Sequence, residues 1–124
     1  MMRYLPVLAG LSGFLAVALG AFGAHALKGI FSPYQLSVFK TGNLYHFIHT
    51  FALLFSFYAY ERTRDSAFKY SSYCFTLGLF FFSGSLYTLA ITGKGLFGAI
   101  TPIGGVLFLS GWLFHTLGEY RTRR

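Results

Sequence analysis

Charged residues are scarce in this chain: they make up only 10% of its 124 residues, against about 25% in an average soluble domain. Hydrophobic residues make up 55%, so too few polar side chains are available to cover a water-facing surface. The few charges lie between the apolar stretches rather than within them. This distribution excludes an ordinary soluble domain and predicts one integral membrane domain over residues 1–124.

Acidic residues number only three, and they lie at the edges of the apolar stretches, at Glu61, Asp65 and Glu119. The sequence contains no Ser-His-Asp pattern, no paired carboxylates, no phosphate-binding glycine loop and no HExxH motif. The usual sets of catalytic groups are therefore missing. We predict a protein that is not an enzyme.

Cysteine occurs once, at Cys74, which excludes an internal disulfide. Lysine and arginine are more frequent and give a net charge of +7. They lie in loops and tails rather than along one face, which argues against nucleic acid as a partner. The pattern favours contact with a lipid bilayer, because basic loops bind anionic lipid.

Four apolar runs dominate what remains of the chain, at about residues 4–24, 43–60, 70–92 and 102–118. A helix rises about 1.5 Å per residue, so runs of about 20 residues cross a hydrocarbon core about 30 Å thick. Ala24-His25-Ala26 resembles a signal-peptidase site, but the preceding run is longer than the 7–15 residues of a signal peptide. We therefore expect the first run to be retained as a transmembrane helix.

Two short motifs predict helix starts. Ser32-Pro33-Tyr34-Gln35 has the residues of an N-terminal capping box, and Thr101-Pro102 has an N-cap residue followed by proline at the first helical position. The segment from Leu27 to Lys40 is too short and too polar to span, so it is predicted as an interfacial helix. The predicted fold is an all-α, four-transmembrane-helix bundle with this short interfacial helix between the first and second spans.

Orientation follows from the basic residues. One side of the predicted bundle holds seven of the ten, namely Arg3, Arg62, Arg64, Lys69, Arg121, Arg123 and Arg124. The other side holds Lys28, Lys40 and Lys94. The positive-inside rule therefore predicts that both the N-terminus and the C-terminus lie in the cytoplasm.

Small residues mark two places where helices can pack closely. One is a stripe on the first span, made by Ser12, Ala16, Gly20 and Ala24. The other is a group near the middle of the third span, made by Ser83, Gly84 and Ser85. The stripe leads us to expect packing with a second copy of the chain or with another membrane protein.

Polar residues near several predicted helix ends form a candidate site. Alternating crossings would place them together in the outer leaflet, with His115 in the opposite leaflet. The members of this predicted outer-leaflet cluster are His25, Asn43, Tyr45, His46, His49, Tyr87 and Thr101. The simplest hypothesis is a set of hydrogen bonds that ties the helices together.

Two other hypotheses for these residues stay open. Polar groups inside a membrane often mark ion or solute pathways, so His49, Ser83 and Ser85 could serve a small transporter or channel subunit. Imidazole also binds metals and haem iron, which makes His25, His46 and His49 weak metal candidates. The sequence by itself implies no cofactor.

Several motifs along the chain match a known family. They are Gly20-Ala21-Phe22-Gly23-Ala24-His25, Phe39, Thr41-Gly42, Tyr45, His49, Phe82-Ser83-Gly84-Ser85-Leu86-Tyr87, Thr92-Gly93, Gly98-Ala99-Ile100-Thr101-Pro102-Ile103-Gly104-Gly105 and Gly111-Trp112. With them the chain resembles the domain of unknown function 423 family. The resemblance implies a multi-pass protein of the bacterial plasma membrane with no assigned activity. His46 and Lys40 depart from the family pattern, which leaves His25 and His49 as the better pair for a haem or metal.

Overall fold

The computed structural model describes residues 1–124 and contains four long helices, α1 to α4. In chain order they are Met2–Ala26, Pro33–Thr63, Ser66–Thr92 and Gly95–Thr122. No β-strand is present, and one isolated bridge joins Lys28 to Phe31 between α1 and α2. The predicted all-α class is therefore confirmed.

The outer surface is apolar. By length and composition, α1, α3 and α4 could each cross a membrane, whereas the more polar α2 does not meet that criterion. Large hydrophobic side chains are exposed around the bundle, for example Phe14 at 72%, Phe55 at 69% and Leu113 at 73%. Such a surface is expected where lipid, rather than water, surrounds the helices.

α2 begins where the sequence predicts, but it does not end at Lys40. The Ser32 hydroxyl accepts a bond from the Gln35 N–H (3.1 Å), and the Gln35 side chain accepts one from the Ser32 N–H (2.8 Å). The helix then continues unbroken to Thr63, so the prediction of a separate short helix is wrong. Gly42 lies within this continuous helix. It allows α3 to approach closely, since a Cβ on Gly42 would lie 3.1 Å from the Cβ of Leu86.

α4 begins earlier than predicted, at Gly95, and Pro102 lies inside it. The interpretation of Thr101-Pro102 as a helix start is therefore wrong. Pro102 lacks an N–H and omits one backbone hydrogen bond, yet the flanking turns continue. Thr101 is held within the helix, since its hydroxyl donates to the backbone oxygen of Phe97 (3.1 Å).

Short turns join the last three helices. Arg64 ends α2 in the left-handed region with a φ of 59°, and the Asp65 side chain caps α3 by accepting from the Ala67 N–H (2.8 Å). Gly93 ends α3 with a φ of 68°, a conformation that glycine adopts without strain. Turns this short make α2, α3 and α4 run antiparallel to their neighbours.

α3 and α4 are joined by a register of phenylalanine against glycine. Three phenylalanines of α3 lie against three glycines of α4, in the pairs Phe68–Gly118, Phe75–Gly111 and Phe82–Gly104; the ring makes the first two contacts and the Phe82 backbone makes the third. Members of both sets recur every seven residues, the repeat that keeps two left-handed supercoiled helices in contact. A Cβ on Gly111 would lie 2.6 Å from the Phe75 ring, so the spacing of the helices depends on the missing side chain.

α1 packs chiefly against α2. Leu5 and Ala9 of α1 join the buried core with Leu53 and Phe57 of α2. α2 also packs against α3, and α3 against α4. The parallel helices α1 and α3 therefore flank α2, and a space remains between them.

Candidate functional site

The space between α1 and α3 is a cavity of about 380 Å³. Its lining is mostly apolar, but five polar side chains reach it: Ser12, His46, Thr76, Ser83 and Tyr87. Residues 8–19 of α1 and 76–87 of α3 line it, and each of these segments rises about 16 Å. A long apolar cavity with a few polar groups is typical of a small-molecule site.

A chain of hydrogen bonds centred on His46 forms the back of the cavity. The Thr50 hydroxyl donates to the backbone oxygen of His46 (2.8 Å), so Ser12 must donate in its 2.7 Å bond to Thr50. The Ser12 oxygen then accepts from His46 Nε2 at 2.9 Å. This order places the proton of the neutral imidazole on Nε2.

The other ring nitrogen of His46 is also engaged. Nδ1 accepts from the Tyr87 hydroxyl (2.9 Å), whose oxygen accepts from the Asn43 amide (3.0 Å). The same amide donates to the backbone oxygen of Ala16 (2.9 Å). His46 therefore ties α1, α2 and α3 together and keeps no free lone pair for a metal.

His49 faces the opposite way, toward α4. Its Nδ1 donates to the backbone oxygen of Tyr45 (2.8 Å), and its Nε2 accepts from the indole N–H of Trp112 (3.1 Å). The ring stacks on Phe108 with centroids 3.5 Å apart. Both nitrogens of this buried histidine are therefore engaged: Nδ1 within α2, and Nε2 in a bond that holds α2 against α4.

His25 is remote from both. It lies exposed at the end of α1, whereas Thr50, next to His49, lies against Gly13. Twelve residues of helix separate Gly13 from His25, which is about 18 Å along the axis. The structure therefore does not bring His25, His46 and His49 together, and no group of three or more His, Cys, Asp or Glu side chains is placed to hold a metal ion.

The structure divides the predicted outer-leaflet cluster into separate sets. Asn43, His46 and Tyr87 form one, Tyr45 and His49 belong to another, and Thr101 bonds to the Ser85 hydroxyl at 2.6 Å. His25 belongs to none of them. Which residues meet depends on helix rotation and not only on depth.

The predicted packing stripe is used inside the chain. Ser12 bonds to α2, Ala16 is fully buried, and a Cβ on Gly20 would lie 2.7 Å from the Asn43 side chain. Ala24 is exposed. Since most of the stripe already packs on α2, it no longer supports association with a second copy.

Ser83 is exceptional among the buried polar groups. It is 1% exposed, lines the cavity, and its Oγ is the only buried side-chain nitrogen or oxygen without a hydrogen-bond partner. Most other serine and threonine hydroxyls of α3 bond to the carbonyl four residues earlier, as those of Thr76 and Thr88 do. Ser83 lies instead in the π-helical segment Leu79–Gly84, a kind of irregularity often found at functional sites.

A second polar set was not predicted. Near the opposite end of the bundle the Ser71 hydroxyl donates to the backbone oxygen of Gly111 (2.8 Å), so Ser56 donates to Ser71 (2.9 Å). His115 Nδ1 then donates to Ser56 at 2.8 Å. Hydroxyl groups within apolar runs signalled this set. The sequence did not show which partners would meet.

Comparison with known proteins places the chain among bacterial membrane proteins. A family model described as "Protein of unknown function (DUF423)" matches residues 19–105. No solved structure matches the chain significantly.

Three relatives illustrate the similarity. The UPF0382 inner membrane protein YgdD of Escherichia coli (strain K12) is 41% identical over 122 residues, covering 98% of this chain and 93% of that protein. A UPF0382 membrane protein of Haemophilus influenzae is 43% identical, with coverage of 98% and 96%. The UPF0382 membrane protein SSP2132 of Staphylococcus saprophyticus is 39% identical, with coverage of 97% and 99%.

Proposed function

Since this chain belongs to the DUF423 family of membrane proteins of unknown function, we propose that it binds a lipid-soluble molecule in the cavity between α1 and α3. The proposed role is non-enzymatic: the protein holds a molecule taken from the bilayer. The observation that carries the proposal is the half-open cavity of about 380 Å³ between the two helices, with mostly apolar walls and a few polar groups.

The proposal includes a topology in which all four helices cross the membrane as one domain, with both termini in the cytoplasm. α2 is the most polar of them, but three polar side chains of its middle turns, His46, His49 and Ser56, are buried. Its 31 residues rise about 46 Å, more than the hydrocarbon thickness. Its first turns, residues 33–40, would then lie at the outer surface and fill the interfacial role expected from the sequence.

The shape of the cavity favours a single hydrocarbon chain as the occupant. The cavity follows residues 8–19 of α1 and 76–87 of α3 over about 16 Å, and apolar side chains make up most of its lining. An extended hydrocarbon chain matches this long, apolar shape, because it has no polar groups that need partners there.

A photoreactive lipid tests this proposal. A fatty alcohol carrying a diazirine, incorporated into vesicles with the purified protein, should crosslink to residues 8–19 and 76–87 by peptide mass spectrometry. Gly84→Leu should abolish this labelling, because Gly84 lines the cavity and the nearest atom to an added Cβ is 3.9 Å away. Gly10→Leu is the matched control, since Gly10 is exposed on α1 and has no atom within 4 Å.

The outcomes of this test are distinct. Labelling of the cavity that is lost in the α3 variant and kept in the α1 variant supports the proposal. Equal labelling of both variants, or labelling spread evenly over the lipid-facing surface, would overturn it.

A transporter or channel role is the second candidate. It is favoured by two buried hydrogen-bonded sets on α2, one at His46 and one at Ser56. Of the three residues expected to serve it, only Ser83 faces a cavity, while His49 and Ser85 are bonded within the protein. Reconstituted vesicles that show no protein-dependent ion or proton flux would eliminate this candidate.

Association with a second copy or another membrane protein stays a prediction. Such association would use the lipid-facing surface of the bundle, because most of the stripe of small residues already packs on α2. Chemical crosslinking in native membranes tests it, and a monomer that recovers no partner would count against it.

A further inference from the structure

We infer that the bound molecule carries an acceptor oxygen, of the carbonyl type, which receives a hydrogen bond from Ser83. This inference depends on the proposed function, because it names the chemistry of the molecule in the same cavity. The hydrocarbon chain of that molecule runs from Ser83 along α1 and α3 toward Leu8 and Thr76.

Ser83 supplies the reason. Its hydroxyl is buried at 1% exposure and has no partner in the protein. Inside a membrane no water is present to satisfy such a group, and an unmade hydrogen bond is unfavourable. A ligand oxygen beside Ser83 would remove this penalty.

The remaining polar groups of the cavity determine which kind of atom is needed. The Ser12 proton is used on Thr50, the Tyr87 proton on His46, and the Thr76 proton on the backbone oxygen of Ser72. The Nε2 proton of His46 is used on Ser12. Ser83 is therefore the one cavity side chain with an unused donor, and it calls for an acceptor on the ligand.

The depth of Ser83 in the membrane narrows the class of ligand further. Ser83 lies nine residues before the end of α3 at Thr92, which is about 14 Å along the helix. The ester carbonyls of phospholipids lie near the membrane surface, well outside this level. A lipid without a charged headgroup, such as a prenyl quinone or a simple fatty ester, can place its carbonyl at Ser83.

Competition against the diazirine probe tests the inference. The competitors are a prenylated benzoquinone, a fatty acid methyl ester, a diacyl phospholipid and a hydrocarbon of similar length. For the unmodified protein, the quinone or the methyl ester should compete about 3- to 15-fold better than the hydrocarbon, the range expected for one hydrogen bond within a membrane protein.

Three variants test whether the Ser83 hydroxyl, and not the rest of the cavity, causes the preference for carbonyl compounds. Ser83→Ala should bind the hydrocarbon as before and lose the preference for the carbonyl compounds. Ser83→Thr should keep that preference, because it keeps the hydroxyl. Ser72→Ala, a buried serine of α3 outside the cavity, should not affect it.

The outcomes separate this inference from the proposed function. If no competitor displaces the probe from the unmodified protein, the proposed function itself fails. If all compete equally, or if Ser83→Ala keeps the preference, the cavity binds hydrocarbon but the inference is overturned. Equal competition by phospholipid and quinone would overturn the assignment to a lipid without a headgroup, whereas a difference between quinone and methyl ester would identify the source of the carbonyl.

Discussion

Two adjacent glycines of α4 provide a sharp test of how α3 and α4 pack. Gly104 is buried, and a Cβ added to it would overlap the backbone of Phe81 and Phe82. Gly105 is only half-buried, and a Cβ there would lie 3.9 Å from the Phe82 ring, an ordinary contact. We predict that Gly104→Ala destabilises the protein and that Gly105→Ala does not.

The magnitude follows from two effects. Alanine in place of glycine within a helix favours folding by about 0.8–1 kcal/mol, and both variants gain this equally. Only Gly104→Ala also forces the helices apart, and inserting an atom into a packed interface costs about 1–3 kcal/mol. The upper part of that range is expected, because the obstructing atoms belong to the backbone and cannot rotate away.

The measurement is the free energy of unfolding in mixed detergent micelles, followed by circular dichroism. Gly104→Ala should unfold more easily than Gly105→Ala by about 2–3 kcal/mol, the upper part of that range. The shared gain in helix propensity cancels in this difference, which leaves the steric term. Equal stability of the two variants would refute the register of α3 against α4.

Two further predictions concern the histidines and the topology. His49→Ala should lower the free energy of unfolding by about 2–4 kcal/mol, since it removes a stacked ring and leaves the Trp112 N–H unsatisfied. The control, His25→Ala, changes an exposed residue and should have no effect. An unchanged unfolding curve for both variants would show that His49 does not hold the helices together. In a background without the native cysteine, Lys94→Cys should react with a membrane-impermeant thiol reagent only from outside the cell, and Arg124→Cys only from the cytoplasm. The opposite pattern would reverse the proposed orientation.

Local signals predicted local structure well. The Ser32-Pro33-Tyr34-Gln35 motif begins α2 as expected, because a capping box is formed by neighbours in the chain. The runs at residues 4–24 and 70–92 lie within α1 and α3, whose lengths reflect continuous apolar sequence. The prediction of a helix start at Thr101-Pro102 was wrong, because these residues also fit inside a helix. The Thr101 hydroxyl bonds to a backbone oxygen one turn back.

The histidines show where depth alone misleads. His46 and His49 are three residues apart and share a level, yet one faces α1 and α3 and the other faces α4. Their separate roles depend on partners that are distant in sequence, such as Ser12 and Trp112. A pattern read along one chain shows that polar groups are present but not which groups they meet.

Composition and periodicity by themselves determined that this protein is helical and surrounded by lipid. The chain has too few polar side chains to cover a surface that faces water, so its apolar surface must face lipid. Tertiary structure alone decided the register of phenylalanine against glycine, the direction of each imidazole, and the cavity that leaves Ser83 without a partner. The physical reason is that helix formation depends on neighbours a few residues apart, whereas rotation and spacing between helices depend on how side chains from distant segments fit together.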